Sequence, residues 1–246
     1  MSIGQKSKLS TAPSSKRIWE LDAWRGVTIV YMVLFHALYD LYVYYGYPVN
    51  PHDLLLIDPI KPGHIVSFTF FPLAGISSGL SRNPFKRGTQ LMVVALGFSL
   101  VTYFTTPQLF IRFGTLHLLS TALLLSPLWQ RLPTKFIPPV ALLIYLTGVW
   151  TASTHTNNPW LFPLGLITPD FATMDYFPIF PYIAPFIMGI WFKRVVYDPR
   201  HNKSLLSEWT FSKPLQYLGR HSLLIYIIHQ PILMLVFYLL RAFKLI

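Results

Sequence analysis

The sequence predicts an all-α, polytopic transmembrane bundle of about seven spans, and three observations predict it. Of 246 residues, 53% are hydrophobic and only 12% charged, with a mean hydropathy of +0.46. Soluble domains carry roughly a quarter charged residues, so the chain reads as an integral membrane protein. Apolar runs close to the roughly 20 residues that a bilayer demands recur along its length. The basic residues, finally, cluster in alternate connections rather than spreading evenly. That distribution accounts for the net charge of +11 by topology and leaves no place for nucleic acid.

The polar leader of residues 1–16, with five serines and three lysines, is expected to be disordered. Residues 17–246 are expected to form a single transmembrane domain. The first apolar run is long and uncleaved in pattern, so it reads as a retained span. Spans are placed near 26–45, 64–81, 89–105, 113–130, 137–153, 177–193 and 219–241. With the N-terminus in the cytoplasm and the C-terminus outside, sixteen of the 20 basic residues lie on inner segments. Two outer connections, Gly46 to Gly63 and Thr154 to Tyr176, are long and rich in breakers, and so read as loops. Cysteine is absent, which excludes disulfides, thiolate metal sites and a cysteine nucleophile.

The stretch Leu21 to Asp40 organises the rest. Asp22, Arg25, Ile29, Met32, His36 and Asp40 follow one another at spacings of three and four, so a helix lines them up on one stripe. Val27, Val30, Tyr31, Leu34 and Leu38 form the opposite, apolar face. An ionisable group at a helix centre costs about 2.5–3.5 kcal/mol on insertion scales, so such residues face a protein interior and serve a purpose. The second span holds Gly75-Ile-Ser-Ser-Gly79, a small-xxx-small pattern for close helix packing, and has His64 at its outer end. Arg112 stands near the outer interface of the fourth span, with His117 deeper and Ser120 and Thr121 on its face. In the seventh span Ser222, Tyr226, His229 and Gln230 make another polar stripe, and Pro231 withholds an amide hydrogen from the Ile227 carbonyl. Three histidines from three spans can make a zinc site. No local H-x-x-x-H pair supports one, and no metal is expected.

In their order these blocks resemble the heparan-α-glucosaminide N-acetyltransferase-like family, most closely its short bacterial members. The resemblance is carried by Arg17-x-x-Glu-Leu-Asp-x-x-Arg-Gly26, Val33-Leu-Phe-His36 with Asp40, and Phe70-Phe-Pro-Leu-Ala-Gly75. Arg112-Phe-Gly-Thr-Leu-His117, Asp175-Tyr-Phe-Pro178, Gly219-Arg-His-Ser222 and His229-Gln-Pro231 continue it over roughly 17–235. It implies transfer of an acetyl group from cytoplasmic acetyl-CoA, across the cell membrane, to an amine or hydroxyl of a sugar or glycoconjugate outside. It also leans towards a homodimer. In the longer, lysosomal-type members an asparagine stands where this chain has His36, and the catalytic histidine lies in the first outer loop, where this chain offers His52 or His64.

Reaction and resemblance together name two sets of residues. Arg25, Asp22, Arg82, Lys86, Arg87 and Arg220 form an inner rim expected to meet the phosphates of the donor. His36, oriented by Asp40 one turn outward, is expected to act as general base. His229, His117, Arg112 and His64 are the further catalytic candidates, as oxyanion donors or alternative bases. A proton-coupled small-molecule transporter using the same histidine and aspartate relay is the competing class.

Overall fold

The computed structural model describes residues 17–48, 62–81, 83–201 and 203–244, with side chains from residue 68 onward in the second stretch. Its helices are α1 (Trp19–Tyr45), α2 (Pro62–Leu80), α3 (Pro84–Thr105), α4 (Thr115–Leu124), α5 (Ser126–Arg131), α6 (Ile137–Ala152), α7 (Ile179–Phe192), α8 (Lys213–Arg220) and α9 (Ser222–Ala242). Among the described residues there is no strand, only isolated bridges between Phe113 and Tyr176 and between His155 and Ile167. The all-helical expectation is met.

Among the described residues, five stretches are long and apolar enough to cross a bilayer: Trp19–Tyr45, Pro84–Thr105, Thr134–Ala152, Ile179–Arg200 and Ser222–Ala242. The apolar helical stretches Phe68–Leu80 and Thr115–Leu124 are shorter. Two expected spans are interrupted. The stretch placed at 113–130 breaks at Leu125, ahead of Ser126-Pro127. The stretch placed at 219–241 divides at His221, so Gly219 and Arg220 belong to the separate short helix α8.

Local chemistry fixes the ends. Asn83 accepts the Lys86 amide at 2.9 Å and Pro84 follows, which starts α3. Gly46 ends α1 in the left-handed region at φ 69°, and its amide returns to the Leu41 carbonyl. Within α1 the stripe is inward: Asp22, Ile29, Met32 and Asp40 are buried, while Val27, Val30 and Leu34 are exposed.

Lipid is as apolar as leucine, so membrane helices associate through close packing rather than through burial alone. Glycines supply it here. Gly26 of α1 lies against the Leu215 carbonyl of α8, and Gly219 of α8 lies against the Asp22 carbonyl of α1. Gly75 of α2 meets the Phe186 carbonyl of α7, Gly189 of α7 meets the Pro72 carbonyl of α2, and a Cβ at Gly79 would lie 3.1 Å from the Lys193 side chain. The small-xxx-small pattern in the second span does the packing it predicts. One core gathers Phe71, Leu118, Ile137, Ile183, Phe186 and Ile187, with Tyr226 of α9 packed on it. A smaller core of Ile18, Leu21, Leu73, Ile76 and Tyr197 ties the start of α1 to α2 and to the segment Lys193–Tyr197 that follows α7.

Candidate functional site

Two clusters lie along α1. At the α1–α8 crossing, Arg25 Nη1 donates to Asp22 Oδ1 at 2.7 Å and its other amino group donates to the Ser77 hydroxyl of α2. Arg220 Nε reaches Asp22 Oδ2 at 3.4 Å, and Arg220 Nη2 donates to Gln216 Oε1 at 3.1 Å. Gln216 in turn donates to Glu208 at 3.0 Å and to Ser212 at 2.9 Å. One carboxylate therefore sits between two guanidinium groups, a bridge that positions both and does not neutralise both. Arg87 and Arg17 lie within electrostatic range of Arg25. The geometry thus brings Asp22, Arg25, Arg220 and Arg87 together and adds Arg17. Lys86 is exposed at the start of α3, and Arg82 lies outside the described residues. The glycines at 26 and 219 are what allow this approach, since a side chain at either would strike backbone.

Eleven residues further along α1, about 16 Å at 1.5 Å rise per residue, His36 faces His229 of α9. Their ring centroids are 5.0 Å apart. His229 Nδ1 is 2.7 Å from the Tyr226 carbonyl. A carbonyl only accepts, so the neutral ring carries its proton on Nδ1 and leaves a lone pair on Nε2. That Nε2 is buried and has no hydrogen-bond partner among the described residues. Asp40 is 1% exposed, and both its oxygens accept from Gln230 Nε2, at 3.1 and 2.9 Å. The carboxylate is thus held from α9, by the residue beside His229, rather than paired with His36 one turn below on its own helix. An acceptor held in a dry place with a fixed tautomer is suited to taking a proton from an entering group.

The remaining candidates stand elsewhere. His117 Nδ1 accepts the Gly114 amide at 3.3 Å, which leaves the proton on Nε2 to meet Ser99 Oγ at 3.2 Å. Ser99 spends its own hydrogen on the Ile111 carbonyl at 2.6 Å. Both nitrogens of His117 are satisfied, and the ring serves the start of α4. Arg112 stacks over Phe110 and Phe171, at 5.0 and 5.2 Å to the ring centroids. His64 belongs to α2, but its side chain, like the whole of His52, lies outside the described residues.

Comparison with known proteins adds the decisive finding. A family model described as heparan-alpha-glucosaminide N-acetyltransferase, catalytic, matches residues 17–231. The chain belongs to this family. No curated protein and no solved structure matches it. Membership makes the protein a multi-pass membrane protein of a transmembrane acetyltransferase family, one that uses acetyl-CoA as donor in general. Among the described residues, no three of His, Cys, Asp or Glu are grouped to hold a metal.

Within this heparan-α-glucosaminide N-acetyltransferase family member, one half-buried group stands apart from every candidate named from the sequence. Asp175 accepts the Thr115 amide at 2.8 Å and the Thr115 hydroxyl at 3.3 Å, capping α4 from sixty residues away. Gly114 leaves the room for it, since a Cβ there would strike the carboxylate. Burial pushes the Asp175 carboxyl up to about 6, against the pull of both Thr115 hydrogen bonds. The Tyr226 hydroxyl bonds Thr115 and faces Asp175. Tyr226 thereby joins this cap to the backbone that orients His229. The stretches Arg112 to His117 and Asp175 to Pro178 both carry the family resemblance; that they meet in space is something no spacing could supply.

Proposed function

We propose that the protein moves an acetyl group from acetyl-CoA, bound from the cytoplasmic side, to an amine or hydroxyl of a sugar or glycoconjugate on the outer side of the cell membrane. The observation that carries this reading is the facing pair His36 and His229, whose inward lone pair on His229 Nε2 is buried and has no partner among the described residues. His229 acts as general base, taking the proton of the attacking amine or hydroxyl and passing it to the departing thiolate. His36 lines the same spot, and Asp40 acts through Gln230. The cationic cluster of Arg25, Arg220 and Arg87 meets the phosphates of the donor, with Asp22 setting the angle between two of its guanidinium groups. A rise of about 16 Å separates that cluster from His36, a gap suited to a long flexible donor arm. The charge bias of the connections supports a cytoplasmic N-terminus, and the resemblance points to a homodimer.

The test is direct. Purified protein is incubated with acetyl-CoA and glucosamine, and released CoA thiol is followed colorimetrically. The chain has no cysteine and so gives no thiol background. Acceptor-dependent release is expected, and His229→Ala should lower it by about 10²–10⁴-fold while remaining folded. Full activity in His229→Ala, or no release with any amine, sugar or glycolipid, would refute the proposal.

A further inference from the structure

Gln230 carries a second buried acceptor that nothing in the described structure satisfies. Its Nε2 donates to both oxygens of Asp40. A carboxylate can only accept, so the amide is locked with nitrogen toward Asp40 and Oε1 turned away. That Oε1 is buried and has no partner among the described residues, as is true of Nε2 on the neighbouring His229. Buried polar groups are normally paired. His229 and Gln230 are consecutive on α9 and meet His36 and Asp40, one turn apart on α1, so both orphan atoms belong to side chains directed at the same helix. Two orphan acceptors on consecutive residues suit a ligand that brings two donor hydrogens.

We infer that Gln230 is a specificity-determining residue for the acyl acceptor, its Oε1 receiving the second donor hydrogen of the attacking group while His229 Nε2 receives the first. The inference rests on the reading of His229 as base. A neutral primary amine has two N–H bonds and fills both acceptors. A hydroxyl has one hydrogen and leaves Oε1 unpaired. In the step itself the amine nitrogen bonds to the thioester carbonyl carbon and one N–H proton moves to His229 Nε2. The C–S bond then breaks, and that proton goes to the thiolate, so the products are the amide and free CoA thiol. The second N–H stays on nitrogen throughout and remains on Gln230 Oε1. A site built to accept a hydrogen bond discriminates against a partner that lacks the hydrogen, because its own group is then left bare.

The experiment compares glucosamine with glucose, which differ in the amine at a single carbon, using the full chain and acetyl-CoA. The quantity read is the ratio of kcat/KM for the two acceptors in wild type, Gln230→Met and Asp40→Asn. Methionine keeps the length of the side chain without its polar amide, and asparagine at position 40 releases the lock on that amide. Both variants should lower the glucosamine-to-glucose ratio by about 10–100-fold. A ratio within twofold of wild type in both variants overturns the role of Gln230 and leaves the acetyltransferase reading standing. No transfer by wild type to either acceptor overturns both. Since the ratio is internal to each preparation, a partly unfolded variant still reports on Gln230.

Discussion

Replacing Gly219 with alanine probes the crossing on which the inner cluster is built. A Cβ at this position would lie 2.7 Å from the Asp22 carbonyl carbon and 3.0 Å from the Gly26 amide nitrogen, and closer still to the Asp22 carbonyl oxygen. Ordinary contact begins near 3.4 Å, and the obstructing atoms are backbone, so no rotamer change relieves them. Helix α8 must move off α1 by about 1 Å, a kind of overpacking that costs about 1–3 kcal/mol. The Arg220–Asp22 hydrogen bond is already 3.4 Å long, and such a shift breaks it. The melting temperature in detergent should therefore fall by several degrees, and the KM for acetyl-CoA should rise more than kcat falls. Gly97→Ala is the matched control: a Cβ there meets nothing within 4 Å, and helix propensity favours alanine by up to about 1 kcal/mol. Equal melting temperatures for the two variants would refute the claim that the α1–α8 seam is closed backbone to backbone.

Other outcomes follow from the same contacts. His117→Ala should destabilise the fold by about 1–3 kcal/mol, since it bares the Gly114 amide and the Ser99 hydroxyl; kcat corrected for folded fraction should stay within a few-fold of wild type, as steady-state kinetics on monodisperse protein will tell. The Asp175 carboxyl titrates near 6 when folded, above its ordinary 3.8, so its contribution to stability is present below pH 4 and lost as pH rises through 6. Relative to Asp175→Asn, the wild type should gain about 1–3 kcal/mol between pH 7.5 and 4, measured as the difference in melting temperature at each pH. His36→Ala should lower kcat while leaving the KM for acetyl-CoA within a few-fold, because the donor's phosphates are assigned to a cluster about 16 Å away along α1. An equal rise in KM would place the ring in donor binding instead.

Much of α1 is legible in the sequence because a helix turns spacing into direction. Asp22 and Arg25, three apart, have to meet, and the stripe ending in Asp40 has to face inward. What spacing fixes is a face; it does not say which surface of another helix lies opposite. The pairing of His36 with His229 and of Asp40 with Gln230 is set by how α1 and α9 pack, so the expected Asp40–His36 partnership gives way to one across the helix boundary. The break at His221 is hidden for a related reason: no proline or glycine stands at the break itself, and what defines α8 is its seat on Gly26. His117 reads as a reactive histidine because its partners, Ser99 and the Gly114 amide, are revealed only when α3 and α4 fold together. Asp175 gives no signal of its own, because an acid in an outer loop is ordinarily solvated, and only the packing of Gly114 against it shows otherwise.

The carbonyl-on-glycine seams at Gly26, Gly75, Gly189 and Gly219 carry a mechanical consequence. Each locks two helices at a distance that admits no intervening atom, so sliding or tilting one past the other would tear several of them at once. A protein of this build is ill suited to exchanging its accessible side by rocking one half against the other. Under the proposed reaction, the frame stays still and the flexible partner does the travelling, threading its reactive end between fixed walls towards a stationary pair of imidazoles.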